Sequence, residues 1–419
     1  MLSKVLGLLF LCCSMTLLAQ KDYGHQLLDS LCHERYDGRG YVNNGDVRAG
    51  DFIIRELRSI GAVPIKGKEF SQNYTLNVNT FPNKTELFIG NNRLIPGSDF
   101  MLDPNSGSAV GEFKHIIIDA SNFHEVFGNI DLDEKLKSDN YVLVFDFFED
   151  FDKEKLKQIK SSAKQKTGIC PVIWLSNDVP IFSVGRTAFS FPFITVLRSK
   201  FNIDEVIRME INNKYIETYD TKNVIACIPG KKKKKYVFFT AHYDHLGRMG
   251  STAFFPGGND NASGTAMLLS LAKYYKANPP EYTIVFCFFS GEEAGLLGSK
   301  YYVENPTVKL SKIQFLLNID IMGSASKGIT LVNATKHEAA FNTMVELNEK
   351  GDYLDLVKKR GPTANSDHYF FTEKGVPAFF IYSMGSVTNY HNTGDNAANT
   401  TLDKFNEVQA LMIDFVSFL

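Results

Sequence analysis

The chain has 419 residues, 44% of them hydrophobic and 22% charged, with a formal net charge of -2. This is globular composition with ample material for a core, spread by length over two or three domains. A balance so close to neutral lacks the electrostatic footprint of a nucleic-acid binder. The one basic run, 231–235, sits between apolar stretches as a solvated hairpin turn would.

Residues 1–19 carry one lysine, Lys4, then an apolar stretch to Leu18, then Ala19. That is the pattern of a secretory signal peptide, too short and too poorly flanked for a spanning helix. Cleavage is expected after Ala19, although Leu17 fits the small-residue window poorly. Cys12 and Cys13 lack the small residues that a lipoprotein site places before its cysteine. No later stretch is apolar for long enough to cross a bilayer. The expectation is an exported protein, secreted or periplasmic, with no membrane anchor. Cys32, Cys170, Cys227 and Cys287 remain; they form no CxxC pair, which argues against a zinc–thiolate site. Export permits a disulfide among them, but the sequence assigns none.

From residue 20 to 83, "GHQLLDSLCHERYDGRG" and "NGDVRAGDFIIRELRSIGA" have apolar residues at helical spacing, and "EFSQNYTLNV" alternates like a strand. The texture changes for 84–217, where short strands and turns dominate. A helical segment, "EKLKQIKSSAKQKTG", lies there between the strands "NYVLVFDF" and "CPVIWLS", and no cluster of catalytic residue types appears. This segment is expected to be an inserted, mainly β domain that supplies no metal ligand and roofs the crevice.

It changes again for 218–419. "KNVIACIPG" and "KYVFFTA" are expected to pair around the lysine turn. "SGTAMLLSLAKYYKANPP" is a helix that stops before its two prolines. Then come the strand "YTIVFCFFSG", a helix in "EEAGLLGSKYYVEN" and the strands "IQFLLNIDIMG" and "GITLVN". A helix over 338–350, the strand "VPAFFIYS" and a helix in "TLDKFNEVQALMIDFVSFL" complete the chain. Nearly continuous apolar strands alternating with amphipathic helices predict an α/β fold. Its central sheet should be mostly parallel, with helices on both faces.

Polar clusters fall where these strands end: "AHYDH", "GGNDNASG" in the next loop, "SGEEAG", "NIDIMG" and "NYHNTGD". Taken singly, each has an ordinary explanation as a turn, a helix cap or an acid at the positive end of a helix dipole. Together they fall on one sheet, and in such sheets the ligand crevice lies outside the carboxyl ends of the strands. One crevice would collect His242, Asp260, Glu292, Glu293, Asp320 and His391. Mixed imidazole and carboxylate donors suit zinc or a similar divalent ion. The set is too large for one tetrahedral ion and suits two that share a carboxylate.

In order, spacing and surrounding strands, "AHYDH", "NDNASG", "SGEEAGLLGS", "NIDIMG", "SDHYFF" and "YHNTGD" resemble the motifs of the M28 family of zinc exopeptidases. The likeness begins near Thr221. Residues 84–217 are similar to the protease-associated domain inserted in several of these enzymes. The resemblance implies two zinc ions, a peptide substrate and the following roles. His242 and Asp320 hold one ion, Glu293 and His391 the other, and Asp260 bridges them. Glu292 is the general base. Asp244 orients the His242 ring from behind, and Tyr390 donates to the developing oxyanion. Strand alternation would point Asp244 the same way as His242 if the strand ran that far. His245 receives no assigned role. Aminopeptidase action is expected, with a carboxypeptidase or dipeptidase on the same scaffold as the alternative; Arg248 and Arg360 are the candidates for receiving a C-terminal carboxylate. A glutaminyl-cyclase-like acyltransferase would keep a one-zinc site, and a non-catalytic binding module would have lost ligands. The ligand set here is complete. The sequence leaves side-chain preference and oligomeric state open.

Overall fold

The stretch Tyr282–Phe289, YTIVFCFF, is buried along its whole length. A strand apolar on both faces needs neighbours on both sides and cover above and below. The computed structural model describes residues 23–126, 130–138, 140–147, 152–178 and 180–419. The expected signal peptide, with Cys12 and Cys13, lies outside the described residues.

Tyr282–Phe289 is the third strand of an eight-stranded sheet ordered 71–80, 214–228, 282–289, 232–242, 313–319, 378–383, 329–332, 357–359. The pairs 232–242 with 282–289, 232–242 with 313–319, and 313–319 with 378–383 are parallel, as is the edge pair 329–332 with 357–359. The other three pairs are antiparallel. Alternate residues face opposite layers. Ile284, Phe286 and Phe288 belong to one buried cluster with residues of the helices Gly45–Ile60, Ser263–Ala277, Glu338–Gly351 and Phe405–Phe418. Val285, Cys287 and Phe289 meet Leu297–Glu304 and His368–Glu373. The helix Gly45–Ile60 buries Ala49, Phe52, Ile53 and Leu57 at helical spacing. It ends at Gly61, whose φ of 84° lets its N–H reach the Leu57 and Arg58 carbonyls. Cys32, Cys170, Cys227 and Cys287 are buried free thiols.

The lysine run is not a hairpin turn. Tyr282–Phe289 lies between the strands Lys214–Ile228 and Lys232–His242 and pairs with each. Lys232 to Lys235 open the second strand, with their side chains exposed. The doubly buried strand between them satisfies more apolar surface than direct pairing of the two would.

Residues 85–211 build a second eight-stranded sheet with a parallel centre and antiparallel margins. Its helix Lys153–Gln165 is capped by Asp152, whose carboxylate accepts from the Lys155 N–H at 2.9 Å. The short helices Phe123–Val126 and Ile130–Ser138 are additions to the expected pattern; dense charge over 131–137 hides their periodicity. The core of this sheet is shared. Leu246, Met249, Ala253 and Phe255, which follow the first histidine motif, pack into it beside Phe81. No helix of the described residues is long and apolar enough to cross a membrane.

Candidate metal centre

His242 is the last residue of the strand Lys232–His242, and Asp320 directly follows Ile313–Ile319. Glu292 and Glu293 stand just beyond Tyr282–Phe289. The parallel register that places His242 beside Phe289 brings these groups to one edge. Asp260 arrives on the loop before Ser263–Ala277, and His391 on the loop after Ala378–Ser383.

The Asp260 carboxylate stands between two imidazoles. Its Oδ1 is 3.2 Å from His242 Nε2 and its Oδ2 is 3.0 Å from His391 Nε2. Asp320 Oδ1 lies 3.2 Å from the same nitrogen of His242. Glu293 Oε2 lies 3.2 Å from that of His391. One ligand atom from each of His242, Glu292 and Asp320 falls within 4.8 Å of the others, as does one from each of His245, Asp260 and Glu293.

The supports are buried. Ser366 Oγ donates to Asp320 Oδ2 at 2.8 Å. The backbone N–H groups of Asn259 and Asp260 donate to Asp395 at 2.6 and 3.1 Å, fixing the loop under the bridging carboxylate. Arg39, fully buried, spreads its guanidinium over backbone carbonyls: Tyr243 at 2.8 Å, Gly257 at 2.7 Å, and Leu31 and Pro256 besides.

Asp244 acts in a different way from strand alternation. The strand ends at His242, so alternation does not carry to residue 244. The nearest partner of His242 Nδ1 is the backbone carbonyl of Asp244, at 3.1 Å, while the carboxylate stands at 3.8 Å. That carboxylate accepts from the Tyr41 hydroxyl at 2.8 Å and from the Glu292 and Glu293 N–H groups at 3.2 and 3.4 Å. It ties the two glutamates to the histidine strand.

His245, given no role by the sequence, is fully buried with Nδ1 2.8 Å from Glu293 Oε1. Tyr390 is exposed, its ring stacked on His391 at 3.9 Å. Arg248 is engaged by Asp37 at 2.6 Å, and Arg360 donates to the Tyr382 hydroxyl at 3.1 Å. Tyr41 and Arg39 carried no signal that singled them out, since each acts through a contact distant in sequence; Ser366 and Asp395 lie within "SDHYFF" and "YHNTGD" but received no role.

So many buried acids set the electrostatics. Burial pushes Glu292 well above the ordinary carboxylate range; His242 opposes this and Glu293 and Asp320 add to it. Burial disfavours charge on His391, but Glu293 and Asp260 outweigh it and raise the ring to about 11. Burial likewise opposes a charged His242, and Asp320 and Glu292 overcome it. The donor set fits divalent cations. It combines imidazole nitrogens with carboxylates, one carboxylate is shared, buried negative charge is in excess, and His245 Nε2 is a buried nitrogen without a hydrogen-bond partner.

The fold and this donor cluster together define a known class. The model of Peptidase family M28 matches residues 223–416, just under half of the chain. The chain is 30% identical over 191 residues to Aminopeptidase YwaD of Bacillus subtilis, covering 43% of this chain and 40% of that protein. It is 29% identical over 225 residues to Aminopeptidase Y of Saccharomyces cerevisiae, covering 49% and 40%. The matches thus span less than half of these relatives' own length. Among solved structures, the zinc aminopeptidase BSAP of Bacillus subtilis aligns over 95% of this chain and 94% of its own, with a TM-score of 0.67 and 17% identity. A Peptidase M28 precursor from Shewanella amazonensis aligns over 94% and 96%, with a TM-score of 0.63 and 17% identity. At that identity the likeness is one of fold.

Proposed function

We propose that the protein is an exported aminopeptidase that uses two zinc ions. The observation that carries this is Asp260, one oxygen toward each of two histidines, each histidine paired with a second carboxylate. His242 and Asp320 would hold one ion, His391 and Glu293 the other, and Asp260 both. When bound, such a pair supplies Lewis acidity toward the scissile carbonyl and acidifies water.

The chain's own groups do the rest. Glu292, poised by burial to take up a proton, removes it from the attacking water and delivers it to the leaving amine. The Tyr390 phenol donates to the oxygen that becomes negative. The Asp244 carbonyl holds the His242 ring, and its carboxylate fixes the Glu292–Glu293 turn. Names of the relatives support aminopeptidase action. The occupied state of Arg248 and Arg360 weakens the carboxypeptidase reading.

The test is a set of short peptides, free or blocked at each end, followed by mass spectrometry with zinc analysis of the enzyme. N-terminal acetylation should abolish cleavage and C-terminal amidation should not. The reverse pattern makes the enzyme a carboxypeptidase. Export rests on residues 1–19; the secreted or periplasmic protein should begin near Gln20, and an intact Met1 on cytoplasmic protein would defeat that part.

A further inference from the structure

We infer that the loop over 180–185 of the inserted segment positions His391, with the main chain of Phe182 as its clamp. Two hydrogen bonds of opposite sense join them. The Phe182 N–H donates to the His391 carbonyl at 3.0 Å, and His391 Nδ1 lies 3.0 Å from the Phe182 carbonyl. A carbonyl only accepts, so Nδ1 carries the proton. Nε2 is thereby aimed at Asp260 and Glu293. A partner behind a ligating histidine fixes its ring and its basicity in this way.

The contrast with His242 gives the arrangement its meaning. His242 ends a regular strand and takes its Nδ1 partner from two residues along its own chain. His391 stands on an irregular loop with φ of 51°, and its partner comes from a segment more than two hundred positions away in sequence. The clamp is itself held. Phe182 is buried and stacks on Phe255 at 4.8 Å, with Phe81 at 6.4 Å. Three residues on, the Gly185 carbonyl accepts from the Asn79 N–H of the edge strand at 2.8 Å. The inserted segment therefore sets the geometry of a residue outside itself, and it does so for one of the two histidines that face Asp260.

The inference rests on His391 as a metal ligand, and the experiment separates the two claims. Full-length protein freed of metal by chelator dialysis is titrated with zinc against a competing chelator, for wild type, Phe182→Pro, Phe182→Ala and His391→Ala. Proline removes the amide donor; alanine keeps the backbone but releases the ring from its stack. Both Phe182 variants should weaken one zinc equivalent, the one lost in His391→Ala, and leave the other unchanged. Proline keeps the carbonyl behind Nδ1 and loses only the N–H bond to the His391 carbonyl, so the expected loss is about 10-fold, the lower end of the range for a disturbed partner behind a ligand, and less for alanine. If the proline variant does not fold, alanine decides. Unchanged affinity at both equivalents, or equal weakening of both, overturns the inference. Retention of both equivalents by His391→Ala overturns the ligand assignment beneath it.

Discussion

Glu292 and Glu293 are neighbours on one turn, both tethered through their N–H groups to Asp244, yet their carboxylates face different partners. Glu293 meets His245 and His391; Glu292 lies with His242 and Asp320 and is held well above the ordinary carboxylate range, first by burial. Glu293→Ala should therefore lower zinc stoichiometry together with rate. Glu292→Gln keeps the shape and removes the base; it should retain both ions and lose at least about a hundredfold in kcat. Metal analysis beside kcat checks both, and an ion lost from Glu292→Gln alone would exchange the roles. A second acid makes a pH prediction. Asp46 is buried, accepts from the Tyr219 and Thr221 hydroxyls, and is raised to about 7, chiefly by burial. Its native state holds a proton that the unfolded chain releases near pH 4. Its contribution to stability is then full below about pH 4 and is lost as pH rises through about 7. Asp46→Asn should remove that slope, so its urea midpoint should gain on wild type steadily between those pH values; parallel curves would refute the account. At this scale the cluster of His242, Asp260, Glu292, Glu293, Asp320 and His391 was legible because its motifs fall at strand ends and in the loops beyond. His245 was not: strand alternation drew the eye to His242 and Asp244, whereas the strand stops at His242 and the chain turns.

Among elements, the loop that carries Asp260 depends on a residue from the far end of the domain. Arg39 is fully buried and gives its guanidinium to the Tyr243, Pro256 and Gly257 carbonyls. Arg39→Met leaves several of these acceptors unpaired, each costing about 1–3 kcal/mol. The variant should lose at least about 3 kcal/mol in denaturant unfolding by that principle, and bind zinc more weakly because Asp260 is no longer held. Wild-type affinity in a destabilised variant would confine Arg39 to a structural part. The central strands could be read from their apolar runs, and the helix Ser263–Ala277 from the prolines that end it. Strand neighbours could not. "KNVIACIPG" and "KYVFFTA" look like a hairpin, and only the tertiary competition for partners inserts Tyr282–Phe289 between them.

On the scale of the whole molecule, the core of the second sheet takes in residues from both flanking parts of the chain. Phe81, Met249, Ala253 and Phe255 pack with Leu87, Phe100 and Ile194 of the inserted segment. Excising that segment would expose these aromatics, so the parts should not melt separately. Trp174, the one tryptophan of the chain, lies in the inserted segment against Phe145 and Phe147. Its fluorescence transition should coincide with loss of far-UV circular dichroism and release of zinc. An earlier fluorescence transition would show the inserted segment opening on its own. A change of texture marked 84–217 in the sequence, but packing across that boundary left no mark, because its members are ordinary apolar residues on both sides.

The register that closes the insertion also has a consequence for how the protein is made. Thr80 pairs with Lys214 and Ser71 with Val224, so everything between leaves the ribosome before the edge strand finds its partner. Closing so long a loop from an open chain is entropically slow. Early collapse of the second sheet brings the two ends together and shortens the effective loop. Released chains truncated after residue 230, which contain neither His242 nor His391, should already protect Ser71–Thr80 from protease.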